Sequence, residues 1–255
     1  MKYDVASAIG TGKREYQEDS VVADFSIGLP FGFVVLSDGM GGHAAGDVAS
    51  KIVVTEVFSE LKLQTGDIAS LEAEIEEVLR SVAHSANACI EAHVAQNPDL
   101  RGMGATLLAP VFFGQRLYWI SIGDSPLYLY RDGVLKQLNE DHSLAPQIDL
   151  MVKTGQMDEE TARHHPDRNS LTSVVMGGRI PQIDCKPKPT ELRPGDVVIA
   201  ASDGLQFLEP REIETVLRKA RRYSSAETAQ ALLSAVEKLD SPDQDNISFA
   251  IVKII

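Results

Sequence analysis

Eight short runs rich in β-branched and aromatic residues, each bounded by Gly, Pro, Asn or Asp, leave this chain few architectures. They are YDVASAIG, SVVADFSIG, FGFVVLS, ATLLAPVFF, RLYWISIG, LYLYRDG, DVVIAASDG and NISFAIVKII, and they read as strands. FGQRL and YRDGVL lie between adjacent runs, so hairpins and antiparallel pairing are expected there. A long helical block separates the third run from the fourth. In it Val54, Val57, Phe58 and Leu61 follow i, i+3, i+4, i+7 spacing. Leu71, Ile75, Val78 and Val82 continue the pattern in a second helix after QTGD, and Ala229, Leu232, Leu233 and Val236 form a third stripe. Strands in runs and helices in pairs predict an α+β fold rather than a regular βαβ alternation.

A chain of 255 residues can bury a substantial core without staples, here as one domain over residues 1–255. The polar segment 144–181, with short helical and turn signals, reads as a surface insertion of the kind that often forms a lid. A net charge of −13 argues against wrapping nucleic acid or lying on an anionic membrane. It is compatible with carboxylates gathered to hold cations. No apolar run has the length of a signal peptide core or a membrane span. Two isolated cysteines, Cys89 and Cys185, suit reduced thiols in a cytoplasmic protein.

The stretch FVVLSDGMGGHAAG, residues 33–46, runs from a strand into an acid, three glycines and a histidine. Asp38 at its centre fits a phosphate cradle, a metal site or a plain Asp-Gly turn. Residues 39–44 match G-x-G-x-x-A, the dinucleotide fingerprint, but that fold needs a second strand about 20 residues on, ending in an acid. The sequence instead stays helical to the neighbourhood of Asn97. Asp38 would also face a pyrophosphate with like charge, and no Lys-Ser or Lys-Thr follows the glycines as a phosphate loop requires.

Acids recur at the ends or starts of the strand runs: Glu18 and Asp19, Asp38, Asp124, Asp203 and Asp245. Any one of them alone reads as an ordinary turn. LSDG at Leu36 and ASDG at Ala201 are near-identical strand ends, and their repetition in one small sheet protein favours a shared site. Two carboxylates about 4 Å apart repel by roughly 4 kcal/mol at an effective dielectric near 20. Several together must protonate or bind cations. An all-oxygen set suits Mg²⁺ or Mn²⁺, and two such ions about 3.5–4 Å apart acidify water and clamp a phosphoryl oxygen. Gly39, lacking a side chain, lets its carbonyl approach the ion of Asp38, and Arg14 offers a planar fork for two phosphate oxygens.

With these residues in place, the sequence resembles the metal-dependent Ser/Thr protein phosphatases, the PPM family or protein phosphatase type 2C, and is similar to their bacterial single-domain members. GTGKREYQEDS, SDGMGGHAAGDVAS, MGATL, IGDSPLYLYRDGVLKQLNEDHSL, LRPGDVVIAASDGL and DNISFAIV follow in the family's order. The resemblance implies a four-layer α/β/β/α sandwich with two central antiparallel sheets and two or three Mn²⁺ or Mg²⁺ ions at one end. It implies that Asp38 bridges two ions, the Gly39 carbonyl binds one of them, and Asp203 and Asp245 complete the other. Glu18 and Asp19 then bind directly or through waters, Asp124 with Asp203 holds a third ion, Arg14 grips the phosphate, and residues 144–181 form a flap. The implied reaction is in-line attack by a bridging hydroxide on a phosphorylated protein, with a Ser/Thr kinase as antagonist and a monomer as the working unit.

The chain departs from the family in places. Met40 stands where animal members carry a histidine, so the candidate proton donor is His43 or a metal-bound water. Pro126 and Ser173 occupy positions where arginine is usual. Two rival readings keep the fold: a phosphoprotein-binding relative that does no turnover, and a regulator acting on one dedicated phosphorylated partner, which broad activity across unrelated phosphopeptides would exclude.

Overall fold

A computed structural model describes residues 2–26, 28–41 and 44–255. Strands β1 (Tyr3–Gly10), β2 (Asp19–Phe25) and β3 (Phe31–Met40) lead into helices α1 (Ala44–Gln64), α2 (Ile68–Ala73) and α3 (Ile75–Gln96). Next come β4 (Gly104–Ala105), β5 (Leu107–Phe113), β6 (Arg116–Ile122), β7 (Leu127–Arg131) and β8 (Val134–Gln137). Helices α4 (Ala145–Lys153) and α5 (Glu159–Arg163) precede β9 (Asp184–Cys185), β10 (Thr190–Glu191) and β11 (Val197–Ala201). Helices α6 (Pro210–Lys219) and α7 (Ser225–Glu237) then lead to β12 (Ile247–Ile254).

The strands pair antiparallel in two sheets. One has the order β1-β12-β11-β7-β8, the other β10-β6-β5-β3-β2, with β4 beside β3 and β9 beside β6. Both expected hairpins are present. Phe113 pairs with Arg116 around Gly114, and Arg131 pairs with Val134 around Asp132 and Gly133, whose φ values of 53° and 87° are those a type I′ turn needs.

Period-two alternation explains why the strands read as continuous apolar runs: both faces are covered. On β3, Phe33 and Val35 pack against α1–α3, while Val34 and Leu36 face the other sheet. On β12, Phe249 and Ile251 pack under α6 and α7, while Ala250 and Val252 face inward. Three apolar layers therefore separate four structural ones, the expected α/β/β/α sandwich.

The helical block differs in detail from its periodicity. Asp67 caps α2, accepting from the backbone N–H groups of Ala69 and Ser70. The helix breaks at Glu74 (φ −110°, ψ 16°) before restarting as α3. The buried seam of α1 is Ala49, Val53, Val57 and Leu61, with Val54 and Phe58 on its flank. Helix α6 was not legible in the periodicity, because only Ile213 and Leu217 are buried on it; Pro210 and a Glu209–Glu212 capping box start it instead. The 144–181 segment carries α4 and α5, and bridges Ser143–Leu171 and Ala105–Val175 fasten its return to the sandwich.

Candidate metal centre

The same alternation aims the acids. Asp38 lies two residues beyond Leu36, on the face of β3 that meets the other sheet, where the apolar layer ends. Asp19 sits directly opposite Asp38 in the β2–β3 register. From the second sheet, β11 runs into Ser202 and Asp203, and Asp245 stands two residues before β12. The Ser202 hydroxyl donates to Asp19 Oδ2 at 2.7 Å and its backbone N–H to Ser248 O at 2.8 Å, so the ends of both sheets are tied at this point.

The two Ser-Asp-Gly ends have a steric cause. A Cβ on Gly39 would stand 2.1 Å from Gly46 O and 2.6 Å from Glu18 O; one on Gly204 would stand 2.0 Å from Asn246 O. Each glycine lets a neighbouring backbone close in beside the acid that precedes it. Asn246 completes the joint: its side chain accepts from Glu18 N at 2.7 Å and donates to Thr11 O and Tyr16 O at 3.0 Å. The loop bearing Arg14 and Glu18 is thereby bound to the start of β12.

Asp124 is held by a buried polar network. Asp38 N donates to Thr106 Oγ1 at 2.9 Å, and that oxygen lies 2.7 Å from Ser125 Oγ. His142, buried, accepts from Gly123 N through Nδ1 at 3.2 Å, and its own N–H donates to Gly123 O at 3.1 Å. Its carbonyl accepts from Thr172 N and Oγ1 at 2.7 and 2.8 Å. His142 thus joins the residue before Asp124 to the base of the 144–181 segment. Neither His142 nor Asn246 was singled out from the sequence; a lone histidine or asparagine inside an acidic run (NEDHSL, DQDNIS) is the only signal there.

Crowding shifts the acids strongly. Burial, then Asp19, Asp203, Asp124 and Asp245, raise Asp38 well above the usual carboxylate range. Burial pushes Asp19 up to about 7 against the Ser202 hydrogen bond, with Asp203 and Asp245 adding to it. Asp124 is pushed up to about 7 by burial, Asp203 and Asp141, and Asp203 to about 6 by burial and Asp245, while a direct Asp38–Asp203 contact pulls down. Burial also raises Glu18.

This donor set fits divalent cations. Glu18 Oε1 is buried without a hydrogen-bond partner among the described residues, and carboxylates crowded this closely need a shared proton or a cation between them. Among the described residues no three or more His, Cys, Asp or Glu side chains already close around one point. The acids line an open cleft of about 380 Å³, a geometry that suits ions keeping several of their own waters. Arg14 stands at its rim, exposed, with Nη2 2.6 Å from Asp245 Oδ2. Gly39, Met40 and Asn169 line it as well.

Asp38, Gly39, Arg14, Glu18, Asp124, Asp203 and Asp245 therefore line one cleft, and Asp19 adjoins it. His43 lies outside the described residues. Ser173 is buried, donating to Gln182 O at 2.7 Å, so it does not take up the substrate-facing place of an arginine. Trp119 is a core residue with its N–H on Asp184 Oδ2, and burial pushes the Cys185 thiol up to about 12.

The sequence profile of a family described as Protein phosphatase 2C matches residues 13–240. The serine/threonine protein phosphatase PstP of Mycobacterium tuberculosis is 33% identical over 243 residues, 95% of this chain but 43% of that protein. This chain therefore spans less than half the length of that relative. The serine/threonine phosphatase stp of Listeria monocytogenes is 33% identical over 222 residues, 86% of this chain and 83% of that protein. The crystal structure of the PstP catalytic domain in complex with two manganese ions superposes with a TM-score of 0.76 at 30% identity, covering 99% of this chain and 98% of that one.

Proposed function

Because this chain belongs to the protein phosphatase 2C family, we propose that it hydrolyses phosphoserine and phosphothreonine esters in proteins at the carboxylate cleft. The observation that carries the reading is the meeting of acids from both sheets on one cleft that also holds Arg14. Manganese or magnesium ions, two or three of them, would be held there. Asp38, the most crowded acid, would bridge two ions, with the Gly39 carbonyl on one and Asp203 and Asp245 on the other. Glu18 and Asp19 would bind directly or through water, and Asp124 with Asp203 would hold the third.

Bound there, divalent ions supply Lewis acidity, acidifying water and offsetting phosphoryl charge. The rest is done by the chain. Arg14 orients the phosphate with its planar fork, and its pairing with Asp245 keeps it at the rim in the meantime. Met40 has no proton to give, so the leaving serine or threonine oxygen takes its proton from His43 or from solvent. Residues 144–181 act as a flap beside the cleft, since Asn169, Ser170 and Leu171 line it. The substrates are targets of a Ser/Thr kinase. A cytoplasmic monomer is part of the same proposal, and no described helix is long and apolar enough to cross a membrane.

The test is phosphate release from a phosphothreonine peptide with Mn²⁺ and with EDTA, for the wild type and Asp38→Asn. Metal-dependent release, reduced by about 100-fold or more in the variant, is the expected result. No release by metal-loaded wild type would instead favour a phosphoprotein-binding role. Release that survives both EDTA and the substitution would sink the two-metal reading.

A further inference from the structure

At the opposite end of the β12 sheet from the carboxylates, the α6–α7 loop covers a cavity of about 420 Å³. Strand β12 starts beside Asp245 and ends in the cavity wall at Ile254, so its eight residues put about 25 Å between the two places. Tyr130, Val197, Leu217 and Ile254 make the wall largely apolar.

The charged side chains lining it are Asp4, Asp196, Arg221, Arg222 and Lys253. The acids are already engaged: Asp4 accepts from Ser225 N at 2.7 Å and from Ser225 Oγ at 2.6 Å, capping α7. Asp196 accepts from Arg131 Nε and Nη2 at 2.9 and 2.6 Å and from Arg193 N at 2.7 Å. Of the cations, the two arginines are not engaged. Arg221 and Arg222 are exposed, and neither makes an ion pair or side-chain hydrogen bond among the described residues. They are held in place, because Lys253 Nζ donates to Ala220 O at 3.1 Å and Tyr223 O at 2.6 Å, fastening the loop on both sides of them. In a chain of net charge −13, two adjacent unpaired arginines over an apolar cavity are a local exception.

We propose that this cavity binds a small amphipathic anion. Its apolar body sits between Leu217 and Ile254, and its carboxylate, sulfonate or phosphate head meets the Arg221 and Arg222 guanidinium groups. The volume lies within the roughly 300–1,000 Å³ of small-molecule sites, and the pattern of apolar walls with a few fixed polar groups is theirs also. Two guanidinium forks recognise such a head group by charge-assisted hydrogen bonds. The proposal is independent of the chemistry at the carboxylate cleft.

The experiment uses the whole chain and 8-anilinonaphthalene-1-sulfonate, followed by fluorescence. Saturable binding of one probe per chain is expected, at a temperature where the cooperative melt shows the fold intact. Arg221→Glu/Arg222→Glu should weaken it about tenfold or more while leaving the unliganded melting temperature and phosphate release unchanged. The uncharged N-phenyl-1-naphthylamine, with the same apolar body, should bind at least about tenfold more weakly than the sulfonate. Absence of saturable binding, binding indifferent to the double substitution, or equal affinity for the uncharged probe would each overturn the proposal.

Discussion

At Asp38 burial raises the energy of the charged carboxylate, and four neighbouring acids raise it further. Asp19 and Asp124, held at about 7, and Asp203, at about 6, are in the same position relative to an ordinary value of 3.8. The folded chain therefore binds more protons than the unfolded one between about pH 4 and pH 7. The stabilisation this represents is complete below the unfolded value and is lost as pH rises through the folded ones. Thermal melts in EDTA should accordingly fall between about pH 5 and pH 8. Excess Mn²⁺, held by the deprotonated acids as proposed, should flatten or reverse that trend. A metal-free melting temperature that climbs over this range would contradict the crowding.

Among the elements, the end of β3 matters most, since it meets the loop before β2 and the first turn of α1 at backbone contact distance. Gly39 is the residue that permits this approach, and it needs no left-handed conformation to do so: the constraint is the carbonyl of Gly46. Gly39→Ala should push α1 away from the sheet, costing about 1–3 kcal/mol as overpacked sites do. Urea unfolding would measure that loss. Calorimetric Mn²⁺ titration should show weaker binding in the same variant, because Asp38 and Glu18 move with their strand and loop. Unchanged stability and metal affinity would mean that the close packing is not what selects glycine here.

On the scale of the whole molecule, two sheets must be held face to face for acids of different strands to share one cleft. Phe112, fully buried in the layer between the sheets, does much of this. Its ring lies 5.6 Å from that of Tyr3 on β1 of one sheet and 5.4 Å from Phe25 on β2 of the other. Tyr3 in turn donates its hydroxyl to Gly114 O at 2.7 Å. Phe112→Ala should lower stability by about 3–5 kcal/mol, read as a shift in the urea midpoint, and should weaken Mn²⁺ binding although no metal-side residue has been touched.

The amino-acid order by itself determined the longer strands, both hairpins and the α+β class, because period-two alternation and turn chemistry are local; the two-residue strands β9 and β10 lie in no such run. It also marked out Asp38, Asp124, Asp203 and Asp245, each placed where an apolar run stops or starts. Helix α6 escaped it, since two buried residues make no visible period, and so did the break at Glu74 within an otherwise unbroken stripe. Only the tertiary structure decided that the acids meet. Asp19 faces Asp38 through strand register, and Asp203 and Asp245 come within electrostatic reach of them through sheet stacking, bringing together residues up to 226 positions apart in the chain. His142 and Asn246 became visible only there as well, because a buried ring or amide gains its meaning from the backbone groups it satisfies. Local pattern chooses elements, whereas burial and charge crowding arise between them. The far cavity follows the same division: Arg221 and Arg222 are ordinary surface residues in the sequence, and folding sets them, unpaired, over an apolar space.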